Sequence, residues 1–114
     1  MQNTGSELSQ EHILVCLSSS PSNERIVRMA GTMAQAFCGS FTALYVQTPG
    51  DAAINAEDTL RLQANIRLAQ HLGAEIVTMH GEDVPTQITE YARLSGVTKI
   101  VIGRSGVQRR HFWS

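Results

Sequence analysis

Four serines crowd one short stretch, Ser18, Ser19, Ser20 and Ser22, with Pro21 among them, between an apolar run at 13–17 and a helical pattern. A strand that turns into a helix at its carboxyl end leaves the first helical N–H groups without intrahelical partners. Small hydroxyl side chains and free amides then converge on one point, a combination that suits a phosphate. Residue types of a hydrolytic triad also occur, in Ser18, Ser20, His12, His71, His80 and Asp83. No spacing sets a histidine beside a serine, however, and the nucleophile elbow G-x-S-x-G is missing. The acidic pairs Glu57-Asp58 and Glu82-Asp83 fall at expected helix starts, where capping and the helix dipole account for them. His71 and His80 read as surface residues. Cys16 and Cys38 lack metal-ligand spacing and read as core thiols of a reducing compartment rather than a disulfide. These readings predict binding, with no catalytic residues and no metal.

The serines need a strand before them and a helix after them, and hydrophobic periodicity predicts both. Residues 12–17 form a short β-branched and aliphatic run, as in a strand buried on both faces. Ser20 or Ser22 then caps a helix reaching Phe37, with Pro21 tolerated in the first turn. Its apolar stripe is Ile26, Met29, Ala30, Met33, Ala34 and Phe37, and Gly39 is expected to end it. A second strand at 41–46 leads through Thr48, Pro49, Gly50 and Asp51 to a helix at 57–72. That helix rests on Leu60, Ile66, Leu68, Ala69 and Leu72, with Gly73 as its C′ residue. A third strand at 75–79 and a polar turn at 81–83 precede a helix at 84–94, carrying Ile88, Tyr91, Ala92 and Leu94 and closed by Gly96. The fourth strand, 99–102, is followed by Gly103, Arg104, Ser105 and Gly106. Residues 1–11 are polar and read as a disordered lead-in or linker.

The order β-α-β-α-β-α-β predicts an α/β fold, a doubly wound parallel sheet of the Rossmann-like kind, occupying 12–114. If the first strand is central, the loops after strands one and four meet at the topological switch point, the usual crevice for a nucleotide. With 114 residues the chain makes one domain. Nine basic residues against ten acidic ones give a formal charge of −1, which lacks the footprint of a general nucleic-acid binder. No apolar run approaches the ~20 residues that span a bilayer, and no signal peptide opens the chain, so a soluble chain is expected.

On those loops and strands the chain resembles the universal stress protein fold, and most closely the cytoplasmic input domain of KdpD-type potassium-responsive sensor histidine kinases. The resemblance rests on Glu24-Arg25-Ile26-Val27-Arg28, Phe41-Thr42-Ala43-Leu44-Tyr45-Val46, Leu72-Gly73-Ala74, Gly81-Glu82-Asp83-Val84, Glu90-Tyr91-Ala92-Arg93 and Lys99-Ile100-Val101-Ile102-Gly103-Arg104-Ser105. It implies a non-catalytic sensory module on the cytoplasmic side of a membrane-anchored bacterial kinase that controls potassium uptake. Its partners would be the kinase's other domains, with no direct membrane contact and no required cofactor. Some such domains bind cyclic di-AMP through S-x-S, twenty intervening residues and F-T-A-x-Y. Ser18 and Ser20, then Phe41, Thr42, Ala43 and Tyr45, reproduce that spacing. Strand alternation sets Phe41, Ala43 and Tyr45 on one side and Thr42 on the other, so not all of them touch one ligand. A packing role for the strand residues and a capping role for the serines stay open.

The resemblance also implies an ATP alternative, through G-x-x-G, nine residues, and G followed by Ser or Thr. Gly103 and Gly106 supply only the first half, and serines stand where the ATP-binding branch places an aspartate. The candidate ligand site is therefore Ser18, Ser20, Phe41, Thr42, Ala43, Tyr45, Gly103, Arg104 and Ser105, with cyclic di-AMP or ATP as the nucleotide. Family members continue into a further helix and fifth strand, so the C-terminal end is expected to be truncated. Phe112 and Trp113 would then favour a homodimer. Two other readings are a ligand-free docking module acting through Arg109 and Arg110, and a stand-alone ATP-binding universal stress protein.

Overall fold

A computed structural model describes residues 10–50 and 55–103. Four strands and three helices alternate: β1 (His12–Cys16), α1 (Asn23–Phe37), β2 (Ser40–Gln47), α2 (Ala56–His71), β3 (Glu75–His80), α3 (Val84–Ser95) and β4 (Lys99–Val101). The strands form one sheet in the order β3-β2-β1-β4, and every neighbouring pair is parallel. β1 is central, as a near-continuous apolar run should be, with Ile13, Leu14 and Val15 fully buried.

Alternation along the strands divides the core into two layers. Ile13, Val15, Phe41, Ala43 and Val101 face α1 and α2, which contribute Val27, Ala30, Ala34, Leu62 and Ala69. Leu14, Leu44, Val46 and Ile100 form the other layer, with Ile88 of α3 and Val97. The chain changes side because β3 lies at one edge and β4 at the other. The third crossover runs back across the sheet, and a right-handed connection then sets its helix on the opposite face.

The helices are rotated relative to the expected stripes. Met29 is 49% exposed, Leu60 65% and Leu94 71%, and Phe37 is exposed with the Lys99 ammonium 5.2 Å from its ring centroid. Val27 and Leu62, absent from those stripes, are buried instead. In α1 the inward row is Asn23, Val27, Ala30 and Ala34, a clean i, i+4, i+7, i+11 series. The methionine and phenylalanine simply lie on its flank.

The end of α1 also departs from expectation. Cys38, not Gly39, takes the left-handed conformation, with φ 54°. It is exposed rather than a core thiol. Gly39 answers a different demand, since a Cβ there would sit 2.4 Å from the Glu11 carbonyl oxygen. That same oxygen accepts the Ser40 N–H at 2.9 Å, so the backbones must approach closely where β2 begins. At the end of α2 the glycine is used as expected. Gly73 has φ 96°, and the Ala74 N–H donates to the Ala69 carbonyl at 2.9 Å, closing a Schellman motif.

Candidate functional site

β1 ends at Cys16, but the Leu17 N–H still donates to the Leu44 carbonyl at 2.8 Å. The chain then leaves the sheet, and the buried side chain of Asn23 takes over from the missing strand neighbour. Its Nδ2 donates to the Cys16 carbonyl at 3.0 Å, and its Oδ1 accepts from the Ser18 N–H at 3.2 Å. The serines close the rest of the turn among themselves. The Ser20 N–H donates to Ser18 Oγ at 3.1 Å, the Ser22 N–H donates to Ser20 Oγ at 3.3 Å, and the Ser20 and Ser22 hydroxyls lie 3.0 Å apart. Ser22 occupies the N-cap position of α1 yet makes no side-chain cap bond, so capping is not what this serine does.

α2 holds the turn from the other side. Asn65 is 4% exposed, and its Nδ2 donates to the Ser18 carbonyl at 3.0 Å. One turn earlier, Arg61 donates to the Ser19 carbonyl at 3.1 Å. Its guanidinium is itself gripped by Asp58 at 3.1 Å and Glu57 at 3.2 Å, so the acidic pair at the helix start orients a cation as well as complementing the dipole.

Beside the turn lies a cavity of about 210 Å³. Leu17, Ser18 and Ser19 form one wall, Leu44, Tyr45 and Val46 of β2 the next, and Leu62, Val84 and Ile88 the flanks. Its lining is mostly apolar, with the hydroxyl-bearing residues Ser18, Ser19, Tyr45 and Thr48 among it, a combination that suits a flat apolar ring carrying a polar substituent. Enclosed sites for drug-sized ligands run from about 300 Å³ upward, so this one is smaller than a site that would enclose such a ligand whole. Cys16 also lines it, and burial pushes its thiol up to about 12. A thiol so raised is a poor nucleophile at neutral pH.

The sequence-predicted residues are distributed unevenly around this cavity. Ser18 and Tyr45 line it, while Ser20 is folded into the adjoining turn. Phe41 and Ala43 are buried in the layer under α1 and α2. Thr42 lies opposite Leu14, toward the start of the strands, and its hydroxyl is 2.8 Å from His12 Nε2. His12 Nδ1 faces the Ser95 carbonyl at 3.1 Å; a carbonyl only accepts, so Nδ1 donates to it while Nε2 shares the hydrogen bond with the Thr42 hydroxyl. Gly103 adjoins α1, where a Cβ would meet Ile26 Cγ1 at 3.1 Å. Arg104, Ser105, Gly106, Arg109, Arg110, Phe112 and Trp113 lie outside the described residues.

Asn23, Asn65 and Arg61 did not emerge from the sequence. The one signal for the two asparagines is polarity within an inward-facing row, as Asn65 follows Leu62 and precedes Ala69 at helical spacing, whereas Arg61 is partly exposed and gives no such signal. A polar group buried in such a row must be hydrogen-bonded, and here the partner is the turn.

The sequence matches the Universal stress protein family over residues 10–113. The chain belongs to that family. Among curated relatives, this universal stress protein domain is 44% identical over 95 residues to the sensor protein KdpD of Clostridium acetobutylicum, covering 83% of the chain and 10% of the relative. It is 30% identical over 100 residues to the sensor protein KdpD of Escherichia coli strain K12, covering 88% of the chain and 11% of the relative. The domain thus spans about a tenth of the length of these relatives. Of solved structures, a universal stress protein in complex with cAMP superposes with a TM-score of 0.65 at 24% identity, covering 87% of this chain and 76% of the other. One from Burkholderia pseudomallei gives 0.66 at 23%, covering 90% and 87%. One from Archaeoglobus fulgidus in complex with dAMP gives 0.54 at 24%, covering 81% and 79%. These likenesses establish the universal stress protein fold.

Proposed function

We propose that this universal stress protein domain is a non-catalytic, nucleotide-binding regulatory module of a KdpD-type sensor kinase acting in the potassium response. The observation that carries the reading is the cavity at the serine turn, with an apolar slot between β2 and α3 and hydroxyl-bearing residues in its lining. A purine fits the chemistry of the slot, and the phosphate falls toward the turn and the start of α1, whose N-cap serine supplies no side-chain cap. Fold relatives crystallised with cAMP and dAMP are consistent with an adenine nucleotide as the ligand.

Within that class the spacing of Ser18, Ser20 and Tyr45 favours cyclic di-AMP. Phe41, Thr42 and Ala43 then serve by holding β2 in register, not by touching the ligand. Among the described residues no helix is long and apolar enough to cross a membrane, and no group of three His, Cys, Asp or Glu side chains is placed to hold a metal ion. A ligand at the turn regulates a kinase only through unequal affinity for its two signalling states. The test is calorimetric titration of the chain with cyclic di-AMP, cAMP, AMP and ATP at one salt concentration, repeated on Tyr45→Ala. Binding of an adenine nucleotide, weakened about tenfold or more by the substitution, is expected. Silence from all four nucleotides would overturn the reading in favour of a docking module.

A further inference from the structure

The turn is held from α2 by two side chains one helical turn apart, and they bond two successive carbonyls. Asn65 takes the Ser18 oxygen at 3.0 Å and Arg61 the Ser19 oxygen at 3.1 Å. In a trans peptide the C=O and the following N–H point in opposite directions. Drawing both carbonyls toward α2 therefore turns the N–H groups of Ser19 and Ser20 away from it. Without Asn65 and Arg61 the two units would be held only by the bonds within the turn, and a carbonyl oxygen swung to the ligand side would repel an anion. Neither grip is incidental. Asn65 is buried and committed to this bond, and Arg61 is fixed by Asp58 and Glu57 before it reaches the turn.

We propose that Arg61 and Asn65 are positioning residues that set the polarity of the serine turn, so that the Ser19 N–H, the one N–H of Ser18 to Ser20 not spent inside the turn, rather than a carbonyl faces an anionic ligand group. The inference rests on the nucleotide reading above for the identity of that group, a phosphate. It goes further in making α2 part of the binding apparatus. Occupancy of the turn and the position of α2 become linked through these two bonds as well as through Leu62 in the cavity wall.

The test uses Arg61→Met, which keeps the aliphatic stem at a partly exposed position, and Asn65→Leu, which keeps the side-chain size without the donor. Ala69→Gly is the control, since it weakens the same helix at a buried position away from the turn. Two quantities are read: hydrogen exchange at the Ser20 amide, which is bonded to Ser18 Oγ, and affinity for cyclic di-AMP and AMP. In both variants the Ser20 amide exchanges about tenfold faster or more and the affinity falls about tenfold. Arg61→Lys restores part of each, and Ala69→Gly changes neither beyond its effect on global unfolding. Unchanged Ser20 exchange in both variants overturns the proposal, as does a loosened turn with unaltered affinity. If the unsubstituted chain binds neither probe, the nucleotide reading falls. The exchange result then decides the polarity argument alone, faster exchange supporting it and unchanged exchange overturning it.

Discussion

Replacing Asn23 by alanine removes two bonds at once and leaves both former partners in place. The Cys16 carbonyl loses its 3.0 Å donor and the Ser18 N–H its 3.2 Å acceptor, at a residue only 4% exposed. A backbone group left without its partner costs about 1–3 kcal/mol, with the lower half of that range appropriate to a turn that water can partly reach. Two such groups give about 2–4 kcal/mol, and the better helix propensity of alanine offsets roughly 0.5 kcal/mol. The net is a loss of about 2–3 kcal/mol. With an unfolding entropy of about 2.1 cal/mol/K per residue, that lowers Tm by roughly 8–13 °C. Urea denaturation followed by circular dichroism measures the free energy directly, with the m-value unchanged because the surface exposed on unfolding is the same. Ser22→Ala is the informative companion. An N-cap serine ordinarily contributes about 1 kcal/mol, but Ser22 makes no cap bond, so its removal should cost clearly less than that of Asn23. A loss below about 1 kcal/mol for Asn23→Ala, or a larger loss for Ser22→Ala, would refute the claim that the asparagine replaces the strand neighbour.

Gly39→Ala places a Cβ 2.4 Å from a backbone oxygen that cannot move aside, so stability should fall by about 2–3 kcal/mol in urea denaturation. Cys38→Gly should instead be neutral or stabilise by up to about 1 kcal/mol, because φ 54° costs a non-glycine residue. Thr42→Val removes the hydroxyl 2.8 Å from His12 Nε2, so stability should drop by about 1–2 kcal/mol while nucleotide affinity, read by calorimetry, stays unchanged. The Cys16 thiol gives a pH signature. Unfolded, it loses its proton near 9.0; folded, it keeps it until about 12, so the folded state binds more protons in that window. Stability should therefore be level below pH 9 and decline as pH rises toward 12, and this part of the decline should vanish in Cys16→Ala. At pH 8 a thiol reagent should label exposed Cys38 well before Cys16.

The alternation of strands and helices was legible because period 2 and period 3.6 differ so plainly along this chain. β1, β2, β3 and β4 fall within a residue or two of where their apolar runs lie. The inward face of each helix was less so. α1 and α2 carry more apolar residues than one row can bury, and an exposed Met29 or Leu60 is ordinary for a folded protein. Only contact with the sheet selects between adjacent rows. The candidate site was half legible. Ser18, Ser20 and Tyr45 stood out by residue type and spacing. Asn65 and Arg61 act on carbonyls 47 and 42 residues away, and nothing local to α2 says that a turn will be there to receive them.

The position of the cavity follows from strand length. The switch-point argument looks between β1 and β4, yet the space opens on the β2 side of β1. β1 pairs with β2 only as far as Cys16 opposite Leu44, whereas β2 continues beside β3 to Gln47 opposite His80. The carboxyl edge of the sheet therefore steps down at β1 by three residues, roughly 10 Å at the rise of a strand. Tyr45 and Val46 lie past the last β1–β2 register pair and line the space together with Leu17, Ser18 and Ser19. Lengthening β1 by pairing would fill the step and abolish the cavity. Asn23 acts on the opposite edge of β1: successive strand residues point their N–H and C=O to alternate sides, so with the Leu17 N–H on the Leu44 carbonyl of β2, the Cys16 carbonyl and Ser18 N–H that Asn23 takes face the β4 side. Asn23 thus carries the chain out of the sheet on the β4 side while Asn65 and Arg61 draw the turn toward α2, and between them the backbone after Leu17 is led away from β2 and the notch stays open.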